Sequence, residues 1–408
     1  MVEENKIPDG WLEKELGDLY NEKPKSKIQV SGATNHGSYP FFTSGDKILI
    51  HDEYLIDGEN LFLSTGGVAN IKFYEGKCAY STDTYAIYVN EETSAKYLYY
   101  FLLQKLYYIN NNYFLGSGLK HLQKKDFKAH SLILPKDSAE QKKIAQILTT
   151  VDNAISHTEQ LIAKYQRIKT GLMQDLITKG IDKDGNIRSE ETHKFKDSPL
   201  GRIPVEWDCD KLSKGIKHIS DYRGKTPPYQ DNGIPVISAE TVLNGKLKPF
   251  VKFVSEYTYS IWLTREIPQG GDIIFTMEAP VGEVAIFPKE NRHLLTRRVI
   301  AISTDERILL SEFLYYQLLI FQQSGVWNPK IIGSTVPRIL KPDVTKQRIK
   351  IPDPKEQQLI LEVLRSQVEV IEKEKLKRNK LKDLKTGLMQ DLLSGKKRVT
   401  HLLKEQLI

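Results

Sequence analysis

The heptapeptide TGLMQDL occurs twice in this sequence of 408 residues, at positions 170–176 and 386–392, an offset of 386 − 170 = 216. The same offset carries Glu140-Gln141 onto Glu356-Gln357 and the segment 97–100 (YLYY) onto 313–316 (FLYY). Earlier landmarks follow in the same order at a slightly different offset, including the Ile-Pro…Trp openings at 7–11 and 203–207. So many ordered matches indicate one module written twice.

The tails of the two copies resemble each other most, and their pattern predicts long helices. Each tail follows a proline-containing turn, with Ser138 as a candidate N-cap in the first copy. Apolar residues then recur at spacings of three and four. In the first tail they are Ile144, Leu148, Val151, Ile155, Ile162, Tyr165, Ile168 and Leu172, and in the second Ile360, Leu364, Val368, Ile371, Leu381, Leu384 and Leu388. The spacing predicts helices at 138–180 and 354–396, each about 40 residues and roughly 60 Å long.

An apolar stripe of that length needs a partner, and the simplest partner is the other helix in an antiparallel pair. Thr158 and Glu374 occupy equivalent positions and interrupt both stripes with a polar group. Such a position typically sets the register of a helix pair or is simply solvated. A contact point for another subunit is the alternative.

The remaining parts of the copies, at 1–137 and 201–353, have the pattern of mixed domains. Runs at 47–50, 60–64, 85–89, 272–276 and 299–302 predict strands, and 95–108 and 311–323 predict helices. Residues 181–200 form a polar linker, and 397–408 form a C-terminal tail. The expected fold is α+β, with two mixed α/β domains joined by two long antiparallel, coiled-coil-like helices in a pseudo-two-fold repeat. Because these domains share only scattered landmarks, we expect them to do different jobs.

The composition is that of a soluble intracellular protein. The formal net charge is +7, which fits binding to phosphate but does not by itself establish it. There are two cysteines, and neither belongs to a C-x-x-C pair, so we expect neither disulfides nor a cysteine-rich zinc site. The N-terminus lacks the apolar core of a signal peptide. We therefore expect a cytoplasmic protein.

In this order the landmarks resemble those of a known family, the specificity (S, HsdS) subunit of type I restriction–modification enzymes. The resemblance covers essentially the whole chain. It is carried by the paired GLMQDL helices, the Ile-Pro…Trp openings, the segments DYRGKTP at 221–227 and GIPVI at 233–237, and the Gly-Ser turns at 116–117 and 333–334. The first copy has Gly37-Ser38-Tyr39-Pro40 in place of the fuller block of the second. We therefore expect the first domain to present a different surface to its bases.

The resemblance implies a function and a set of partners. Two target-recognition domains would each read one part of an asymmetric bipartite site in double-stranded DNA. The helices would hold them apart and dock two methyltransferase (M) subunits, and ATP-dependent restriction (R) subunits would join for cleavage. The chain itself would bind no cofactor and catalyse nothing, whereas S-adenosylmethionine, ATP and Mg would be held by partner subunits.

The competing hypothesis is that the chain is itself a DNA adenine methyltransferase. The segments FLGSG at 114–118 and TPPY at 226–229 resemble the cofactor turn and the target-amine loop of such enzymes. However, a cofactor turn follows a buried strand and begins a helix, whereas Phe114 follows the polar run 110–112. Thr226 also lacks the required amide or carboxylate, and the two motifs lie in different copies. The sequence contains no H-E-x-x-H pattern and no G-x-x-x-x-G-K-[ST] loop, which argues against a metalloenzyme and against ATP hydrolysis.

The Gly-Ser turns mark the segments where we expect contact with DNA. Each turn is followed by basic residues, which are typical of sites for a phosphate or a base edge. The candidates are Lys120, His121, Lys124, Lys125, Arg338 and Lys341, together with Arg223, Lys225 and Thr226 from a Gly-containing loop. Arg297 and Arg298 precede a predicted strand, and the sequence leaves open whether they face DNA or only solvent.

Overall fold

The computed structural model describes residues 7–222, 226–263, 266–289 and 292–404. By spatial contact the chain divides into two units. The first unit is Met1–Leu161 with Glu374–Ile408, and the second unit is Ile162–Lys373. Each long helix therefore contributes one half to each unit.

The first half of the chain contains eleven strands in the described residues and ends in a long helix. The strands are β1 (Trp11–Glu15), β2 (Tyr20–Glu22), β3 (Tyr39–Phe42), β4 (Leu49–His51), β5 (Glu59–Ser64), β6 (Ile71–Glu75), β7 (Ala79–Tyr80), β8 (Thr84–Val89), β9 (Phe114–Leu115), β10 (His121–Leu122) and β11 (Ser131–Pro135). The helices are α1 (Ala95–Gln104), α2 (Leu106–Asn112), α3 (Lys124–Lys128) and α4 (Ser138–Lys179).

The second half repeats this plan with additional short strands. Its strands are β12 (Phe195–Lys196), β13 (Ile203–Pro204), β14 (Asp208–Lys211), β15 (Ile216–Asp221), β16 (Ile234–Ile237), β17 (Val242–Leu243), β18 (Lys246–Leu247), β19 (Phe253–Val254), β20 (Ile273–Thr276), β21 (Val284–Ile286), β22 (Leu294–Leu295), β23 (Val299–Thr304) and β24 (Arg348–Ile351). Its helices are α5 (Glu256–Trp262), α6 (Ser311–Gln323), α7 (Lys341–Thr345), α8 (Pro354–Leu393) and α9 (Thr400–Lys404). Four of the five strand runs predicted from sequence match β5, β8, β20 and β23 to within two residues, and the fifth, at 47–50, overlaps β4 only at residues 49 and 50.

The two units contain the same sheets. A four-stranded antiparallel sheet has the order β2-β8-β5-β6 in the first unit and β15-β23-β20-β21 in the second. A second sheet pairs β3 with β7 in parallel, and its counterpart pairs β16 with β22 in parallel. Strand pairs β1–β11 and β14–β24 lead into the long helices. The α+β fold with an internal repeat is confirmed.

The long helices begin with the same cap in both copies. The Asp137 carboxylate accepts a hydrogen bond from Ala139 N at 2.8 Å, and Asp353 accepts one from Lys355 N at 2.9 Å. The expectation that Ser138 caps the first helix is wrong, because Ser138 is already the first helical residue. Aspartate and serine are equally good N-caps, so the residue type does not decide between Asp137 and Ser138, and only the backbone conformation does.

Each helix is joined to its own domain through a glutamine that bonds to main-chain atoms. Gln141 accepts from Ser94 N at 2.9 Å and donates to Pro135 O at 2.9 Å. Gln357 accepts from Leu310 N at 2.8 Å and donates to Pro352 O at 2.9 Å. Both side chains are buried, so these bonds fix the angle at which the chain leaves the domain.

The helices run antiparallel within each unit. In the first unit Asp152 pairs with Lys385 at 2.7 Å and Glu159 with Lys382 at 2.9 Å, so rising numbers on one helix meet falling numbers on the other. In the second unit residues 173–177 of α4 pack in one core with residues 360–364 of α8. The expected antiparallel pairing is confirmed.

Two buried ion pairs hold the end of one helix against the start of the other. In the first unit Arg398, just after α8, donates to both carboxylate oxygens of Glu140 at 2.7 Å. In the second unit Arg188, after α4, donates to both oxygens of Glu356, which also accepts from Trp207 Nε1 at 3.1 Å. Residues 181–200 and 397–404, expected to be a linker and a tail, thus supply one arginine each to these two pairs.

Two of the apolar positions assigned to the helix stripes are exposed, and the prediction is wrong there. The side chains of Ile168 and Leu384 are 43% and 51% exposed at equivalent places in the two copies. A straight helix of 3.6 residues per turn drifts out of a heptad stripe, which turns these residues outward. One turn further on, Gly171 and Gly387 have open space where a Cβ would stand.

Of the two polar residues that interrupt the apolar stripes, one has a local explanation in its own helix. Thr158 is buried, and its hydroxyl donates to Ala154 O in its own helix at 2.8 Å. Glu374 Oε2 is buried without a hydrogen-bond partner among the described residues.

Among the described residues there is no helix that is long and apolar enough to cross a membrane.

Candidate nucleic-acid interface

In the first unit, the predicted DNA-binding segment is a hairpin docked against a glycine-rich loop. Strands β9 and β10 flank the turn, and Gly116 has φ +150°, with Leu119 O only 2.6 Å from where its Cβ would be. Leu122 N donates to Thr65 O at 3.0 Å, and Gly67 N donates to Lys120 O at 2.8 Å. These bonds fix Lys120 and His121 beside the loop, and both are exposed.

The second unit repeats this arrangement with different side chains. Gly333 has φ +87°, and Ile339 N donates to Met277 O at 2.9 Å. Ala279 N donates to Pro337 O at 3.1 Å, and Arg338 pairs through its backbone with Glu278. Arg338 is exposed in the place that the first unit gives to His121. A basic residue next to a tight turn is therefore presented in the same way by both units.

The structure separates the other predicted basic residues by their existing partners. Lys124 lies 3.4 Å from Glu22 Oε2 and 4.0 Å from the centroid of the Tyr85 ring. Burial opposes ionisation of Glu22, but the hydrogen bond from Lys128 and the charge of Lys124 outweigh it and lower the pKa of this carboxyl. Lys341 faces the buried Asp221 at 3.8 Å. These lysines are partly neutralised, whereas Lys120 and Lys125 have no side-chain partner among the described residues.

Thr226 lies beside a cavity of about 200 Å³ in the second unit. Arg223 and Lys225, predicted with it, lie outside the described residues. The cavity is also lined by Tyr229, Lys252, Arg297 and Arg298. The sequence left the role of the two arginines open and gave no sign of Tyr229 and Lys252, because no local pattern joins positions separated by up to 72 residues (298 − 226 = 72).

The charges around this cavity are partly balanced. Lys252 donates to Glu240 at 3.0 Å, and its ammonium lies 5.5 Å from the centroid of the Tyr229 ring. The hydrogen bond from Lys252 and the charge of Arg298 lower the pKa of Glu240. Arg298 Nε lies 3.4 Å from Glu278 Oε2, and Arg297 has no side-chain partner among the described residues. The cavity thus offers many N–H donors around a small net positive charge.

The first unit carries the opposite charge at the equivalent place. Ser81 N donates to Phe42 O at 2.8 Å, and Thr296 N donates to Ile237 O at 3.0 Å, which aligns the two segments. Arg297 and Arg298 therefore correspond to Thr82 and Asp83. Thr84 gives the Ser81 hydroxyl a partner at 2.9 Å, but its counterpart is Val299, and Thr296 Oγ1 is buried without a described partner.

The FLGSG segment does not form the cofactor turn that the methyltransferase alternative would require. Residues 114–118 belong to the β9–β10 hairpin and do not connect a buried strand to a helix. Within the described ranges, no three His, Cys, Asp or Glu side chains form a group that could hold a metal ion. The alternative of a stand-alone methyltransferase is not supported.

Comparison with known proteins gives a consistent result over both copies. The family model of the type I restriction modification DNA specificity domain matches residues 8–167 and again residues 205–383. The chain is 26% identical to the type I restriction enzyme MjaVIII specificity subunit of Methanocaldococcus jannaschii, over 97% of this chain and 95% of that one. It is 25% identical to the EcoDI specificity subunit of Escherichia coli, over 62% of this chain and 66% of that one.

Solved structures show the same fold. The S subunit of a type I restriction–modification system from M. genitalium matches with a TM-score of 0.61 at 15% identity, over 96% of this chain and 98% of that one. A chain from a structure on complex assembly and conformational transition of the type I R-M system matches with a TM-score of 0.57 at 17% identity, over 95% and 98%.

Proposed function

The chain belongs to the type I restriction modification DNA specificity family, and from this premise we propose that it selects the DNA site for an enzyme whose catalysis resides in other subunits. Each unit would read one part of a bipartite, asymmetric site in double-stranded DNA, in the cytoplasm. The observation that carries the proposal is the family match to both copies, combined with the hairpin and loop that each unit repeats.

The repeated hairpin supports contact with DNA in both units. Its backbone hydrogen bonds are the same in the two copies, while the side chains that it presents differ, with Lys120 and His121 in one and Arg338 in the other. Phosphate contacts position a protein on the duplex, and base contacts supply sequence information. A shared frame with different side chains is what two unrelated half-sites require.

The exposed faces of the long helices support docking of two methyltransferase subunits. Ile168 with Gly171, and Leu384 with Gly387, lie three residues apart and therefore on one face of their helix. A glycine inside a helix costs about 1 kcal/mol relative to alanine, and no described residue fills the space that it leaves. A partner helix that approaches closely would explain why both copies have this glycine.

The chemistry would then belong to the partners. S-adenosylmethionine would be bound by the methyltransferase subunits, and ATP and Mg by restriction subunits that join the complex. The chain itself would bind none of these and would have no catalytic activity. Binding of S-adenosylmethionine by the isolated full chain would contradict this division of labour.

The decisive experiment compares the methylomes of cells that express the methyltransferase subunit with and without this chain. We expect methylation at a two-part sequence only when both are present, because the methyltransferase depends on this chain for site selection. An unchanged methylome would contradict the proposed function.

The placement of the interface is tested by Arg338→Ala and Lys120→Ala, measured against cognate and scrambled duplexes at several salt concentrations. Loss of a base-reading arginine costs about 1–3 kcal/mol and relaxes one position, whereas loss of a phosphate-binding lysine weakens all sequences and lowers the salt slope by about one. Arg307→Ala and Lys14→Ala are controls, since both side chains already pair with a carboxylate. No loss in either test variant would contradict the placement.

A further inference from the structure

The cavity of the second unit has the N–H donors of a basic site but only a small net positive charge. Lys252 is neutralised by Glu240, and Arg298 by Glu278. Of the three described cations that line the cavity, only Arg297 remains uncompensated by a described carboxylate. The carboxylates of Glu240 and Glu278 would therefore repel a phosphate bound among the cations, whereas they would not repel a neutral hydrogen-bond acceptor.

Arg298 lies beside a carboxylate. Its Nε lies 3.4 Å from Glu278 Oε2, and 38% of its side chain is exposed. Because the carboxylate lies nearest to Nε, the terminal amino groups stay available as a planar pair of donors. This is the geometry with which an arginine makes two parallel hydrogen bonds to O6 and N7 of guanine in the major groove.

The fold does not require an arginine here. The equivalent residue in the first unit is Asp83, and the residues on either side of it make the same backbone hydrogen bonds as those beside Arg298. Asp83 has no side-chain partner among the described residues and is exposed. At this backbone position the second unit has a hydrogen-bond donor, Arg298, and the first unit has an acceptor, Asp83. The two units can therefore recognise different base edges here.

We propose, building on the proposed function, that Arg298 selects a guanine in the half-site read by the second unit and that Glu278 is its positioning residue. The backbone of Glu278 pairs with that of Arg338, and its carboxylate lies 3.4 Å from Arg298 at the cavity. Glu278 thus links the cavity to the hairpin. Asp83 gives the first unit no arginine for guanine at the equivalent point.

The test is selection of bound duplexes from a random-sequence pool by the full chain in complex with its methyltransferase partner. The wild-type complex is expected to select a two-part sequence with a guanine preference in one part. Arg298→Ala should lower the discrimination for guanine at one position about tenfold, and the other part should be unchanged. The backbone bond from Met277 N to Arg298 O does not involve the side chain, so the variant is expected to fold.

Two further variants separate base reading from a structural or electrostatic effect. Glu278→Gln removes the carboxylate that orients Arg298 and adds a net positive charge. It should weaken guanine discrimination while strengthening binding to nonspecific duplex, and a merely structural role predicts no such opposite change. Arg307→Ala, an exposed arginine beyond the other end of β23, should change neither quantity.

The outcomes distinguish this inference from the proposed function. Equal weakening of all sequences by Arg298→Ala would show a phosphate contact and overturn the inference, as would a retained guanine preference. A wild-type complex that selects no sequence at all would overturn the proposed function itself.

Discussion

Replacing Arg398 by methionine would leave the carboxylate of Glu140 buried without a hydrogen-bond donor among the described residues. Glu140 is 1% exposed, and both of its oxygens accept from Arg398 at 2.7 Å. Removing one partner of such a buried pair costs about 3–5 kcal/mol, because the remaining charge is no longer compensated. The equivalent change in the second unit, Arg188→Met, should cost less. There Glu356 keeps the donors Trp207 Nε1 and Ile181 N, each at 3.1 Å, and one hydrogen bond to a charged group contributes about 1.5–3 kcal/mol.

The free energy of unfolding is measured by urea denaturation of the full chain, followed by far-ultraviolet circular dichroism. Hydrogen exchange resolved by segment assigns each loss to its unit, since residues 138–148 report on the first pair and 354–364 on the second. Lys397→Met is the control, because Lys397 is exposed and its described partner is Asp391 on the surface. A loss below about 1 kcal/mol for Arg398→Met, or an equal loss for Arg188→Met, would refute the reasoning from buried charge.

Three further predictions concern single positions. Burial lowers the pKa of Lys350 to about 8, so the unfolded chain binds this proton more tightly than the folded chain does. The charged lysine therefore lowers the free energy of unfolding below pH 8, and this loss disappears as the pH rises toward 10.5. Lys350→Ile should therefore stabilise the chain by about 2–3 kcal/mol at pH 7 and by less at pH 10 in urea titrations, and a gain independent of pH would contradict this. Gly171→Ala should raise the free energy of unfolding by about 0.5–1 kcal/mol yet weaken assembly with the methyltransferase subunit in gel filtration, whereas Gly395→Ala, at φ +74°, should destabilise the chain. Val299→Thr should give Thr296 the partner that it lacks and stabilise the second unit by about 1 kcal/mol in thermal unfolding, and a lower melting temperature would argue against that geometry.

The repeat made the architecture predictable from sequence. Periodic apolar residues predicted both long helices, since a pattern sustained over forty residues averages out local exceptions. The exceptions appear where the helix drifts, as at Ile168 and Leu384. The choice between Asp137 and Ser138 as a cap could not be made, because both residue types suit that position.

The candidate site was only partly predictable. The hairpins were found because a Gly-Ser turn and basic residues are local signals that occur twice. Lys252 and Arg298 come together from positions 46 residues apart (298 − 252 = 46), and no short-range pattern links them. The pairing of Glu140 with Arg398 spans 258 residues, and it was likewise absent from any local reading of the sequence.

The glutamine joints described above bear on how such a protein can acquire new targets. Among the described residues, the side chains of Gln141 and Gln357 bond only to peptide groups, such as Ser94 N and Leu310 N. A joint of this kind is indifferent to the side chains of the domain that it holds. Mutations could therefore change the DNA-contacting side chains of either domain, one residue at a time, without breaking the hydrogen bonds that join the domain to its helix. The two domains differ in their exposed side chains while both helices keep the Glu-Gln pair and the TGLMQDL segment, which is the pattern expected from such freedom.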